Sequence, residues 1–200
     1  MHKQLFASDS DNCQTIPNVL YYPENKIISI FDEINEETVK LIWAIFVSGG
    51  CEVRGIVINS TGGSLLDANA IVDIIGNRQI TTIALGKVFS AAAYIYAVGK
   101  KRFAFNNTTF MIHSGSITHY GEVQFSQSQA MNEMWAKEVP TMLDTILKAT
   151  NIKNKQKLKN DLMNGIDLYW SVEDALQNGF VHGVVNIKDI MKYGKSKHSS

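Results

Sequence analysis

The chain has 200 residues, 45% of them hydrophobic, and its 19 Lys and Arg are balanced by 19 Asp and Glu. That length suits one domain with a sizeable core, and the charge balance gives no electrostatic footprint for nucleic acid or an anionic membrane surface. Cys13 and Cys51 form neither a metal-ligand spacing nor a disulfide framework, so no metal or other cofactor is expected and the thiols read as free in a reducing compartment.

The opening run "MHKQLFASDSDNCQ" lacks the continuous apolar stretch of a signal peptide, and the longest apolar stretch, 82–99, is interrupted by Lys87 and Ser90. A cytoplasmic location without a membrane span is expected. Residues 1–25 read as an N-terminal segment, flexible or available for docking a partner. Residues 26–188 read as the folded domain and 189–200 as a polar tail.

In chain order, "KIISIF" (26–31) is a β-rich run. A helix follows in "NEETVKLIWAIFVSGG" (35–50), with Asn35 as cap, Glu36 and Glu37 at the positive end of its dipole, and Gly49-Gly50 as the stop. "VRGIVINS" (53–60) is almost uniformly apolar, as a strand covered on both faces must be. "TGGSLLDANAIVDIIGN" (61–77) gives a Gly-rich turn and a helix, and "TTIAL" (81–85) leads through Ser90 into the alanine-rich helical segment "AAAYIYAVG". This repeated alternation predicts an α/β fold with a largely parallel sheet.

Two further β runs, "RFAF" (102–105) and "TTFMIH" (108–113), flank the turn at Asn106-Asn107, and 115–123 reads as an exposed strand or a loop. "QSQAMNEMWAKEVPTMLDTILKAT" (127–150) has helical spacing, with Met131, Met134, Trp135, Val139, Met142 and Ile146 along one side. Pro140 is expected to kink or break it. Ser171 and Asp174 approximate a capping box for "VEDALQN", which Gly179 ends, and "GVVNI" (183–187) is a last short strand.

The residues that could carry chemistry each have two readings. Ser90, at a strand-to-helix turn, is either an N-cap or a nucleophile beside helix-start amides. Gly62-Gly63 either makes a tight turn or lets backbone N–H groups approach a substrate oxygen; no Walker-type Lys follows, which argues against a phosphate cradle. His113 is a structural residue at a strand end or a general base, with His119 and His182 as rivals and His2 and His198 in the tails. Asp167 is a loop or capping residue, or a carboxylate buried by its apolar neighbours to orient a histidine, with Asp161, Glu173 and Asp174 as alternatives.

Four segments, in this order and at this spacing, resemble the proteolytic subunit of the Clp protease family, serine peptidases on a crotonase-like fold. They are "VINSTGGSLLDANAIVDII", "GKVFSAAAY", "FMIHSG" and "DLYWSVEDALQNGFVHGVV", and the similarity runs from about Lys26 to Val185. The resemblance implies a ClpP-like α/β fold of repeated β-β-α units with a protruding handle helix in about 115–150. It implies Ser90 as nucleophile, His113 as general base and Asp167 as the group that orients it. The backbone N–H groups of Gly63 and Ala91 would form the oxyanion hole, with Gly62 shaping the turn. An extended peptide would bind beside Gly62, Gly63, Ser64 and Leu65 on one side and Ser114-Gly115 on the other, with broad specificity.

The implied partners are a peptide or unfolded protein as substrate, further copies of the chain in rings of about seven subunits, single or stacked as a tetradecamer, and an AAA+ unfoldase. The chain departs from the family pattern in four places. Thr61 stands for a Pro, Phe89 for a small residue, Ser114-Gly115 for Gln-Pro, and Gly165-Ile166 for an acidic–basic pair. Two other functions are compatible with parts of this reading: a noncatalytic scaffold or regulatory subunit of a peptidase ring, and an acyl-CoA hydratase or isomerase on the same fold.

Overall fold

A computed structural model describes residues 18–48, 52–76, 78–116 and 125–192. Its spine is a parallel run of strands, β2 (Ile27–Phe31), β3 (Gly55–Ser60), β4 (Thr81–Phe89), β5 (Lys101–Ala104) and β8 (Gly183–Val184), in that spatial order. β1 (Val19–Tyr22) adds to β2 antiparallel and takes up part of the expected N-terminal segment. β6 (Thr109–Ile112) pairs with β4 in parallel, and β7 (Leu168–Trp170) pairs with β6 antiparallel.

The long β4 explains how one sheet turns toward the site. Residues 81–84 of β4 pair with β5, whereas Lys87–Phe89 pair with β6. Gly86, at φ +69°, lies between the two halves, and the β3–β4 register shifts between Ile58 and Ser60. Such an irregularity bends a strand and re-aims the residues beyond the bend. The sequence reading ends this strand at Leu85; the ladder carries it on to Phe89, because the exposed Lys87, which looks like part of a loop, pairs with Thr109 of β6.

Side-chain alternation along the strands divides the interior in two. Ile28, Ile30, Ile56 and Ile58 join the main core beneath the helices α1 (Glu36–Val47), α2 (Leu65–Ile75) and α3 (Ala91–Ala97). Ile27, Val57 and Ile83 point to the other face, where Leu85, Phe103, Phe105 and Ile190 pack against them. Each fully buried aliphatic side chain contributes about 1.5–3 kcal/mol, so the strands are held from both faces, as the uniform apolarity of β3 requires.

Local signals fix the helix ends. Asn35 caps α1 in a box with Thr38. The Ser171–Asp174 box opens α6 (Val172–Gln177), and Gly179 at φ +68° follows its end. The long helix α4 spans Phe125–Lys148 and is not broken at Pro140. The lost N–H faces the carbonyl of the exposed Ala136, and burial of Val139, Met142, Leu143, Ile146 and Leu147 holds the C-terminal half in place against a penalty of about 3 kcal/mol.

The apolar stripe on this helix therefore splits. Val139, Met142 and Ile146 are buried in the chain's own core, which takes them out of any ring-stacking face, and Trp135 packs against that core half-buried. Two helices escaped the sequence reading, α5 (Lys155–Met163) and α7 (Ile187–Lys192). The last strand is only Gly183–Val184, and α7 takes in the first part of the expected polar tail. Gly49-Gly50, most of 115–123, His119, both cysteines, His2 and His198 lie outside the described residues. Among the described residues, no helix is long and apolar enough to cross a membrane.

Candidate active site

Ser90, His113 and Asp167 each stand one residue beyond the paired end of one of three adjacent strands. β4 ends at Phe89, opposite Met111 of β6, and the Ser90 N–H donates to the Met111 carbonyl at 2.8 Å. The β6–β7 register pairs Met111 with Tyr169 and Ile112 with Leu168. One further step along that antiparallel ladder sets His113 beside Asp167. The sheet, rather than a local motif, brings the residues together.

Ser90 occupies the N-cap position of α3, but its hydroxyl does not cap the helix. Its φ is +54°. A non-glycine residue held there stores about 1–3 kcal/mol of strain, the mark of a strand–turn–helix that presents a side chain outward. The side chain meets His113, with Oγ and Nε2 2.7 Å apart. Phe89, in place of a small residue, turns its ring edge to Tyr169 of β7, with centroids 6.4 Å apart.

Asp167 is nearby but not bonded. Its Oδ1 lies 3.8 Å from His113 Nδ1, outside hydrogen-bond range, and its side chain is 45% exposed. The expectation that apolar neighbours bury it does not hold. Ile166 and Tyr169 are themselves exposed, while Leu168 and Trp170 turn toward the core, and Asp167 sits at the open start of a three-residue edge strand. Two of the rival residues have other work. Asp174 caps α6, and its carboxyl is held below the usual range by bonds from Ser171. His182 has both ring nitrogens within 3.1 Å of Arg102 donors, and burial, then Arg102, hold its pKa below the ordinary histidine range.

The glycine turn is clamped against the serine. Ser60, fully buried, accepts the Gly62 N–H at 3.0 Å. A Cβ on Gly62, at φ +95°, would lie 2.7 Å from the Phe89 carbonyl oxygen and 2.8 Å from Ser90 Cβ; one on Gly63 would strike the Ile34 carbonyl. The Ile34 N–H donates to the Gly62 carbonyl and the Ser64 N–H to the Ile34 carbonyl. In extended chain, alternate residues bond to opposite sides, so this edge of the turn is taken and the edge carrying Gly63 faces the other way. Among the described residues, neither the Gly63 nor the Ala91 N–H has a hydrogen-bond acceptor.

A cleft of about 210 Å³ gathers Ser90, His113, Gly63, Ala91, Leu65 and Ser114. Gly115 borders it too, but Gly62 and Ser64 do not. Gly62 is turned toward Ile34 and Ser60, and the Ser64 hydroxyl caps α2 by accepting the Asp67 N–H. Ser60, Met111 and Ser116 were not singled out from the sequence, and Trp135 and Met142 were read only as part of a helix stripe; all but Ser60 line the cleft. Among the described residues, no cluster of His, Cys, Asp and Glu could hold a metal ion.

A family model described as Clp protease matches residues 8–188. The chain is 29% identical over 137 residues to ATP-dependent Clp protease proteolytic subunit 2 of Frankia casuarinae, covering 66% of this chain and 61% of that protein. It is 32% identical over 135 residues to the chloroplastic proteolytic subunit 4 of Arabidopsis thaliana, covering 66% of this chain and 44% of that protein. The matched region thus spans less than two thirds of either relative. A ClpP1 mutant from Listeria monocytogenes shares the fold at a TM-score of 0.67 and 23% identity, covering 84% of this chain and 96% of that chain. With the family model spanning nearly the whole described structure, this chain belongs to the Clp protease family.

Proposed function

We propose that the chain is a serine peptidase subunit that cleaves peptide bonds in unfolded proteins or peptides. The observation that carries this reading is the 2.7 Å approach of His113 Nε2 to the hydroxyl of a strained, outward-presented Ser90. In the reaction, neutral His113 takes the Ser90 proton as Oγ bonds to the substrate carbonyl carbon. The oxygen, now negative, is held by the Gly63 and Ala91 N–H groups. As the carbon–nitrogen bond breaks, His113 returns the proton to the leaving amine, leaving an ester on Ser90. Water, deprotonated by His113, then attacks the ester, and the acid leaves as Ser90 regains its proton.

Asp167 would orient the imidazole by accepting from Nδ1–H. A shortening of the present 3.8 Å separation on substrate binding fits this role, since catalytic hydrogen bonds often tighten only in the complex. The same separation favours a second reading, a structural subunit of a peptidase ring. Peptide hydrolysis separates them: the purified chain cleaves an unstructured peptide and Ser90→Ala does not, whereas a structural subunit releases no product with either protein.

The assembly belongs to the same proposal. The relatives are named as proteolytic subunits of ATP-dependent proteases, which supports a ring of about seven copies, single or stacked, fed with unfolded chains by an AAA+ unfoldase in the cytoplasm. Trp43 and Val47, 58% and 57% exposed on α1, are apolar surface that a neighbouring subunit would cover.

A further inference from the structure

Aromatic side chains grip β7, the strand that presents Asp167, on both of its faces. On the inner face Trp170 is buried against Phe180, with ring centroids 5.6 Å apart. Successive strand residues point to opposite faces, so Tyr169 stands on the outer one. It is 60% exposed there, and its ring meets Phe89 of β4 edge to face at 81°, an arrangement favoured between aromatic rings.

That contact crosses the strand of His113. Phe89 pairs with Met111 of β6 and Met111 with Tyr169, so the backbones of β4 and β7 stand two strand spacings apart, about 9.5 Å. Backbone hydrogen bonds do not bridge that gap, whereas two large side chains do. By the same alternation, Asp167 shares the outer face with Tyr169, and His113 shares it with Met111. The chain entering β7 is tied to α5 and not to the sheet: the Gly165 and Ile166 N–H groups donate to the Leu162 and Asp161 carbonyls. Gly165, at φ +85°, would bring a Cβ within 4 Å of nothing, and Ile166 is exposed. The Asp167 carboxylate, 3.8 Å from Nδ1, needs a shift of about 1 Å to bond. That closure becomes rarer wherever the start of β7 swings away from β6.

We propose that Phe89 and Tyr169 are positioning residues for the peptidase reaction. Their contact joins the end of β4, which presents Ser90, to the start of β7, and so keeps Asp167 within closing distance of the His113 imidazole. The inference rests on the peptidase reading. Neither ring borders the cleft, so both act through Asp167 and not on the substrate.

The test measures kcat and KM on a fluorogenic peptide amide, with fluorophosphonate labelling of Ser90 on each protein first. Tyr169→Ala, at an exposed position, is expected to lower kcat about three- to tenfold with KM unchanged. Tyr169→Phe keeps the ring and retains wild-type kcat. The rate of Ser90 labelling falls with Tyr169→Ala in the wild-type background but not in Asp167→Asn, where no carboxylate is left to position. An unchanged kcat in Tyr169→Ala, a loss that Tyr169→Phe shares, or an equal loss of labelling rate in the Asp167→Asn background overturns this inference and leaves the peptidase reading standing. Failure of wild-type Ser90 to label, with no cleavage, overturns both.

Discussion

Replacing Gly62 by Ala tests how closely the glycine turn and the nucleophile are built together. The new Cβ meets the Phe89 carbonyl oxygen at 2.7 Å, Ser90 Cβ at 2.8 Å and the Ala91 nitrogen at 3.0 Å, at a backbone φ of +95°. None of these is the free end of a flexible side chain, so the backbone must move. The unfavourable φ costs about 1–2 kcal/mol and the overpacking about 1–3 kcal/mol, giving a loss of about 2–5 kcal/mol. A domain of ordinary stability, about 5–15 kcal/mol, survives that. The displacement falls on Ser90 and on Ala91, the proposed oxyanion donor, where misplacement is expected to cost on the order of 10²–10³ in rate. The assay is the rate of covalent labelling by a fluorophosphonate alongside thermal unfolding. Gly76→Ala is the control, with its own positive φ of +50° and a 3.2 Å approach to the Asp73 carbonyl oxygen; it lowers stability and leaves labelling unchanged. Wild-type labelling and an unchanged unfolding midpoint in Gly62→Ala would mean that the turn and the nucleophile are not coupled.

Other perturbations test the same geometry. With the 3.8 Å separation of His113 and Asp167 closing in the substrate complex, Asp167→Asn is expected to lower turnover on the order of 10⁴; a loss of less than about tenfold in steady-state kinetics would mean that the carboxylate stays apart from Nδ1 during the reaction. Hydrolysis falls on acidification because a protonated His113 cannot accept the Ser90 proton, and a flat pH–rate profile in kcat/KM contradicts a histidine base. His182 is held below its ordinary range by burial and then Arg102, so the unfolded chain binds its proton first. Stability is therefore full above the ordinary histidine pKa and declines as pH falls below it; urea unfolding at stepped pH should show this decline, and His182→Gln should flatten it. Arg102 donates to the carbonyls of Gly99, Ala149, Gly179 and Phe180, and Arg102→Leu, which strands them, should cost on the order of 3 kcal/mol by denaturant unfolding. Light scattering after size exclusion should give a ring of about seven copies or two such rings, and a monomer with full peptidase activity contradicts the proposed assembly.

The fold was legible where burial imposes a strong period. β2, β3 and α2 carry continuous or helical apolar patterns, and the caps at Asn35 and Ser171 are short-range chemistry that sequence displays directly. β7 is three residues long and owes its existence to pairing with β6, and α5 buries only Leu162, so neither leaves a period to read. The site divides in the same way. Ser90, His113, Gly63 and Ala91 lie in recognisable segments and share one cleft. The exposure of Asp167, the diversion of Ser64 to capping and the entry of Trp135 depend on how β7, α2 and α4 pack, which no local stretch records.

Intact-mass measurement after incubation with a fluorophosphonate decides whether Ser90 is a nucleophile activated by His113. A single adduct per chain is expected on Ser90, absent in Ser90→Ala and formed at least about 10²-fold more slowly in His113→Ala. An adduct that persists in Ser90→Ala, or a wild-type chain in its assembled form that takes none, contradicts that role.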